Sequence, residues 1–342
     1  MTSALIRFGM GLPRDLYSLL SGISTYRRTG RTPPDSYQSF VRLFCLTGGL
    51  SNHFVSRLTR APKLPDIAPD TSLFGEGDAA SVEAAVHALR VDGYAVLNDL
   101  LPADLCDRLL AFTLAAPTRI RGSVGDRKYN RAAPEGVRYD LYPDDVINQP
   151  DVQNLLADGF LLRVAQRYLG ATPIADVTNM WWHTAFSRIP DSDAAQFYHF
   201  DLDRPRWLKV FCYLTDVEAH NGPHCFVRGS HRDLGIPWHL RSKGYVRLGD
   251  DEVEAAFCKD RLIRFIAPRG TVILEDTRGL HKGLHVTAGD RLMLQLQFSD
   301  SLFGGAYPAV AFRRPTSSLL EARLNECSSI YSNYLGGAQQ HG

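Results

Sequence analysis

Apolar positions recur at helical spacing in three stretches of this chain. Between Ala79 and Arg90, Val82, Ala85, Val86 and Leu89 share one face, and Asp92-Gly93 ends the run. Leu101 to Ala115 forms a second such helix, opened by Pro102 and an early acidic residue. Asp151 to Leu169 predicts a third, stopped at Gly170. Tyr94–Leu97, between the first two, is strand-like. After Pro173 the period changes. Short runs rich in β-branched and aromatic residues follow: Ile174–Val177, Met180–Phe186, Gln196–Asp201, Trp207–Leu214, His224–Val227, Thr271–Leu274 and Leu292–Phe298. Turn chemistry such as Asn221-Gly222-Pro223 and Pro268-Arg-Gly270 separates them. Many short strands behind a helical lead-in predict a mainly β chain with flanking helices and a closed double-sheet, jelly-roll or cupin-like core.

Residues 61–75 hold three prolines and no periodicity, which marks a connector. Residues 232–265 are charged and strand-poor, and read as an insertion between barrel strands, of the kind that often forms a lid. Residues 316–334 suggest a closing helix. The expected organisation is a basic helical extension and linker over 1–75, one catalytic domain over 76–315, and a helix and tail over 316–342.

A chain of 342 residues, 44% hydrophobic and 22% charged, can bury a large core. A net charge of +1 argues against a nucleic-acid partner. The charge is unevenly spread: residues 1–63 carry nine Lys or Arg against Asp15 and Asp35, a balance of +7. The same stretch holds the apolar clusters Leu16-Tyr-Ser-Leu-Leu20 and Phe40-Val-Arg-Leu-Phe-Cys-Leu46. A basic amphipathic segment can lie on an anionic membrane surface. The preferred reading is that these helices pack their apolar faces on the barrel and show their arginines to water. No run of about 18 uncharged apolar residues is present to span a bilayer, and Arg7, Pro13, Arg14 and Asp15 interrupt any secretory signal. The six cysteines (45, 106, 212, 225, 258, 327) form no CxxC pair, and reduced thiols suit a cytoplasmic location.

His199-Phe-Asp201 is the first chemical signal. Residues i and i+2 of an extended strand point the same way, so one imidazole and one carboxylate can aim at a single point. His281, from a distant strand, would complete two nitrogens and one oxygen on one face of an octahedron, the donor set of non-heme Fe(II) oxygenases. Arg291 sits in an alternating run, where its guanidinium can grip a carboxylate with two parallel hydrogen bonds. A lone His-x-Asp is a weak signal, and a strand-edge histidine beside a solvated aspartate is its bland counterpart.

The frame around it is more specific. The chain reads Gln196-Phe-Tyr-His-Phe-Asp201, then Lys209-Val-Phe-Cys-Tyr-Leu-Thr-Asp216, Asn221-Gly-Pro, Arg228-Gly-Ser-His231-Arg, Gly270-Thr-Val-Ile-Leu, Asp276-Thr-Arg-Gly-Leu-His281-Lys-Gly and Asp290-Arg-Leu. Asp92-Gly-Tyr-Ala-Val-Leu and Leu101-Pro-Ala-Asp-Leu-Cys-Asp-Arg-Leu-Leu precede them. From near residue 80 to near 305 this order resembles the phytanoyl-CoA dioxygenase family of iron- and 2-oxoglutarate-dependent oxygenases.

The resemblance implies a double-stranded β-helix. It implies Fe(II) held by His199, Asp201 and His281, with 2-oxoglutarate as cosubstrate and O2 as oxidant. His285, four residues beyond His281, is a rim residue in this reading. The distal carboxylate of 2-oxoglutarate falls to Arg291, and Phe211 matches the aromatic residue beside the cosubstrate. Lys209 shares the Phe211 face and either meets an anionic group in the barrel or reaches solvent at its mouth. Of Trp181 and Trp182, neighbours on one strand, at most one faces the pocket, and Trp181 is taken as the cosubstrate-side residue. His220, His224 and His231 read as turn chemistry rather than a second metal site. Halogenating relatives replace the metal carboxylate with a small residue; Asp201 keeps it, which suggests hydroxylation of a small molecule. Two other readings stay open: a peripheral membrane oxygenase acting on a lipid or lipid-linked glycan, and a metal-binding scaffold without turnover.

Overall fold

Residues Trp207–Tyr213 put Leu208, Val210 and Cys212 on one face and Lys209, Phe211 and Tyr213 on the other. That alternation sorts the molecule into a helix-covered side and a chemical side. The computed structural model of the chain describes residues 2–67, 72–74, 78–98 and 100–335. Helices α1 (Thr2–Thr29), α2 (Pro34–Thr47) and α3 (Leu50–Thr59) come first, followed by α4 (Ala79–Val91), strand β1 (Tyr94–Val96) and α5 (Ala103–Ala115). Strands β2 (Thr118–Ile120) and β3 (Arg138–Leu141) lead to α6 (Pro143–Ile147), α7 (Pro150–Ala157) and α8 (Gly159–Leu169). The barrel continues with β4 (Ile174–Thr184), β5 (Trp207–Tyr213) and β6 (His224–Val227), then α9 (Trp238–Arg241) and α10 (Asp250–Ala256). Strands β7 (Leu262–Phe265), β8 (Val272–Glu275), β9 (His281–Gly283) and β10 (Asp290–Ser299) complete it before α11 (Ser318–Cys327).

The strands form a seven-stranded sheet in the order β1-β8-β5-β10-β4-β3-β2 and a three-stranded sheet β7-β6-β9, with every pairing antiparallel. Two opposed antiparallel sheets with flanking helices make the expected double-stranded β-helix. Leu208, Val210, Cys212, Leu292, Leu294 and Leu296 join one core cluster with Val82, Val86, Leu89, Leu105, Leu155 and Leu161 of the helices. Lys209, Phe211, Arg291, Met293 and Gln295 take the opposite face and line an internal cavity.

Several expectations need correcting. The third helix is two helices, because Asp158 caps α8 by accepting from Leu161 N–H at 3.0 Å and also accepts from Ser72 and Leu73. The runs 174–177 and 180–186 fuse into the single strand β4. Gln196–Asp201 forms isolated bridges rather than a strand, Tyr198 pairing with Leu248 and His199 with His281. Within 232–265 the last residues are the barrel strand β7, paired with β6; the four residues are too few to show a period. Strands β2 and β3 were not anticipated.

The N-terminal helices lie against the barrel. Leu19, Ile23, Phe40, Leu43, Phe44 and Val55 share a cluster with Phe200, Trp207 and Phe303. Leu16, Tyr17 and Leu20 of the first apolar cluster are instead exposed. Among the described residues, no helix is long and apolar enough to cross a membrane.

Candidate metal centre and active-site cavity

His199 and His281 exchange both backbone hydrogen bonds, at 3.0 and 2.8 Å, which brings two distant segments into register. Asp201 N–H donates to Thr277 O at 2.8 Å, holding the aspartate against the loop before β9. That loop is fixed in turn. Buried Asp276 accepts from Arg278 Nε and from Tyr168 Oη, and Trp207 Nε1 donates to Thr277 Oγ1 at 2.8 Å.

Each histidine is oriented by its other nitrogen. His199 Nδ1 lies 2.9 Å from Phe197 O and His281 Nδ1 lies 3.0 Å from Gly279 O. A carbonyl only accepts, so each Nδ1 carries a proton and each Nε2 is the atom left to face a metal. Burial lowers the His281 imidazole but Asp201 raises it above its ordinary range, so a proton competes with the metal for that Nε2. His281 Nε2 is 3.3 Å from Asp201 Oδ2, and His199 Nε2 is 3.9 Å from Asp201 Oδ1. All three ligand atoms lie within 4.8 Å of one another, and this is the one such group found among the described residues. Two imidazole nitrogens and a carboxylate suit ferrous iron, so the side chains present fit the metal.

The charges are arranged to keep that donor set ready. Burial, and then His281, push the His199 imidazole well below its ordinary range, so it is neutral. Burial would raise the Asp201 carboxyl, but Lys209 and then His281 outweigh it and hold it well below the carboxylate range. Lys209 Nζ donates to Asp201 Oδ2 at 2.6 Å and lies 3.1 Å from Asp203 Oδ2. Lys209 therefore points into the barrel, and the anion it meets is the protein's own.

A cavity of about 270 Å³ opens beside the three residues. Arg291 lies in its wall, buried, donating through one terminal nitrogen to Gly222 O and through the other to His183 Nδ1 at 2.7 Å. Each terminal nitrogen keeps a second hydrogen, and Nε has no partner. Gly283 packs at the same point, where a Cβ would meet Arg291 Nη2 at 3.2 Å. Phe211 and Trp181 line the cavity, whereas Trp182 belongs to the helix-side core, its ring 4.7 Å from that of Tyr129. His285 is absent from the lining residues, as is every residue of 232–265. Within that segment, Tyr245 packs against the stretch that carries His199 and Asp201, 5.5 Å from Phe200.

His224 departs from the turn reading. It sits on β6, buried, in the cavity wall, with Nε2 at 3.0 Å from both oxygens of the fully buried Glu275. Its partners in the expected turn cluster are elsewhere: His220 faces Glu218 and His231 faces Arg90 O. Glu275 and Arg138 were not singled out from sequence. Each occupies an inward position of a strand only four residues long, too short for alternation to reveal.

The class follows from these features: a double-stranded β-helix with a His, Asp, His donor set inside the barrel. Residues 89–292 match the family model described as phytanoyl-CoA dioxygenase (PhyH), and the chain belongs to that family of iron- and 2-oxoglutarate-dependent oxygenases. Among solved structures, it is similar to EctD from S. alaskensis with 2-oxoglutarate and 5-hydroxyectoine bound. There the identity is 21%, the coverage 75% of this chain and 90% of that one, and the TM-score 0.48. It is also similar to HygX from Streptomyces hygroscopicus with nickel and 2-oxoglutarate, at 18% identity, 65% and 88% coverage and TM-score 0.48. A third is the epimerase SnoN with Fe3+, alpha ketoglutarate and nogalamycin RO, at 18% identity, 71% and 90% coverage and TM-score 0.46. No curated protein matches the chain.

Proposed function

We propose that this protein is a hydroxylase of a small molecule, in which His199, Asp201 and His281 hold Fe(II) and Arg291 anchors 2-oxoglutarate. The observation that carries the reading is the convergence of the three ligand atoms on a cavity that also contains a buried arginine. When bound, iron and 2-oxoglutarate supply oxidative chemistry driven by O2, with succinate and carbon dioxide as coproducts. The remaining roles fall to the chain. Phe197 O and Gly279 O hold the two imidazoles in the tautomer that leaves Nε2 free. Lys209 keeps Asp201 ionised. Arg291, oriented by Gly222 and His183, has donors left for the distal carboxylate of the cosubstrate. Trp181, Phe211 and Met293 form apolar wall that keeps water from the reacting centre. Asp201 occupies the carboxylate position that halogenating relatives vacate, which favours hydroxylation. Six free cysteines agree with a reducing, cytoplasmic setting.

The test is spectroscopic. Under anaerobic conditions, Fe(II) and 2-oxoglutarate together should give the weak visible charge-transfer band of a chelated 2-oxo acid. A protein with confirmed iron loading and a spectrum identical to its iron-free form does not perform this chemistry.

A further inference from the structure

We propose that the substrate carries an anionic group, a carboxylate or a phosphate, and that Arg138 receives it. This rests on the oxygenase reading and names the substrate class of the same cavity.

Arg138 and Arg121 both line the cavity, and one carboxylate serves the two. Asp140 accepts from Arg138 Nε through Oδ1 at 2.7 Å and from Arg121 Nε through Oδ2 at 2.8 Å. Asp140 itself is not part of the lining. Two guanidiniums thus face the cavity against a single carboxylate behind them, and one positive charge is left over. The other cations are engaged elsewhere: Lys209 by Asp201 and Asp203, which leaves that corner one carboxylate in excess for the metal, and Arg291, in the oxygenase reading, by the cosubstrate.

Arg138 is also short of partners. Its side chain is 9% exposed, yet among the described residues its terminal nitrogens have no acceptor. Those nitrogens are free to donate to a group in the cavity that Arg138 lines. Trp181 holds the guanidinium flat, with Arg138 Cζ 4.3 Å from the ring centroid. Trp181 lines the cavity as well, is 6% exposed, and its buried indole N–H has no partner. The same wall therefore offers a rigid cationic fork and a neutral donor, as an oxyanion requires. Across the sheet, Arg138 pairs with His183 and His183 with Arg291, so the two buried arginines stand two strand spacings apart, roughly 10 Å. That separation lets an anionic substrate meet Arg138 while Arg291 stays occupied.

The experiment uses full-length protein loaded anaerobically with Mn(II) and saturating 2-oxoglutarate. Acetate and inorganic phosphate are the probes, titrated by calorimetry. At least one should bind, and the preferred probe distinguishes a carboxylate-bearing from a phosphate-bearing substrate. Arg138→Gln should weaken that binding by about tenfold or more, the loss expected for a charge-assisted pair, and leave 2-oxoglutarate affinity within about twofold. Arg121→Gln, at a half-exposed position, should weaken it less, and Arg138→Lys should retain part of it; these two carry the test if Arg138→Gln fails to fold. Absence of binding by the loaded wild type, or binding indifferent to these changes, overturns the proposal. A large loss of 2-oxoglutarate affinity in Arg138→Gln also overturns it, by moving Arg138 into the cosubstrate site. Wild-type protein that binds no 2-oxoglutarate at all instead strikes the oxygenase reading.

Discussion

Lys209 Nζ stands 2.6 Å from Asp201 Oδ2, so a lysine from the central sheet is paired with a candidate metal ligand. The same ammonium lies 3.1 Å from Asp203. Without it, two carboxylates would share this buried corner with no cation of their own.

Replacing Lys209 with Met should therefore destabilise the metal-free protein, by roughly 3 kcal/mol or more, the usual consequence of leaving a buried charge unpaired. A divalent ion bound at Asp201 would replace the missing charge. The rise in melting temperature on adding Mn(II) should then be larger in Lys209→Met than in wild type. An equal or smaller rise would show that Lys209 and the metal do not draw on the same carboxylate.

Arg291 allows a cleaner separation. Arg291→Gln should raise the 2-oxoglutarate requirement by roughly tenfold to over a hundredfold, since losing one side of a charge-assisted pair costs about 1.5–3 kcal/mol. Iron affinity should stay nearly unchanged, because Arg291 contacts Gly222 and His183 rather than any candidate ligand. Unaltered 2-oxoglutarate affinity in the folded variant would place the anchor elsewhere.

The contrast between residues that stand out in the sequence and those that stay hidden has a physical basis. His199, Asp201 and His281 are legible because an extended His-x-Asp segment and the turn residues around all three leave a recognisable order in the sequence. The split faces of β5 were legible because seven residues suffice to show alternation. β3 and β7, four residues each, are too short to show a period, and so Arg138 went unnoticed. For His224 the strand is legible, since the run 224–227 is β6, but the adjacent turn signal Asn221-Gly222-Pro223 hides its role. The partner that makes His224 part of the cavity wall, Glu275, is 51 residues away in sequence. Pairings at that range leave no local trace.

That buried pair should govern a pH effect. Burial lifts the Glu275 carboxyl from its ordinary 4.5 to about 8, although His281 and Lys209 pull it down. Burial and nearby cations hold His224 neutral. A folded-state value above the unfolded one gives stabilisation that is fully present below about 4.5 and lost as pH rises through about 8. Asp300, raised by burial to about 6, acts in the same direction and adds to the slope only up to about pH 7. Between pH 6 and 8 the metal-free protein should lose up to about 1.4 kcal/mol per pH unit through Glu275, and level off above that. Thermal melts of Glu275→Gln should show a flatter dependence over this interval. An unchanged slope would assign the effect to other groups.

The basic N-terminal helices pose the last question, and their packing makes the expected answer specific. Phe44 lies 5.2 Å from Phe200, the residue between His199 and Asp201, and Asn52 Nδ2 donates to Pro205 O at 3.1 Å. Each large apolar side chain buried there contributes roughly 1.5–3 kcal/mol, so deleting residues 1–75 should uncover Phe200, Trp207 and Phe303 and leave an unstable or aggregating protein. Full-length protein should meanwhile ignore anionic vesicles in cosedimentation. The competing outcome has a distinct signature. Leu16, Tyr17 and Leu20 are 46%, 77% and 52% exposed on a helix whose segment carries a balance of +7. If they seat on lipid, full-length protein should pellet with anionic vesicles at low salt and release at high salt, because each basic residue near such a surface is worth about 1 kcal/mol and is screened within a Debye length. Salt-sensitive pelleting together with a well-folded truncated enzyme would replace packing by membrane docking as the role of this segment.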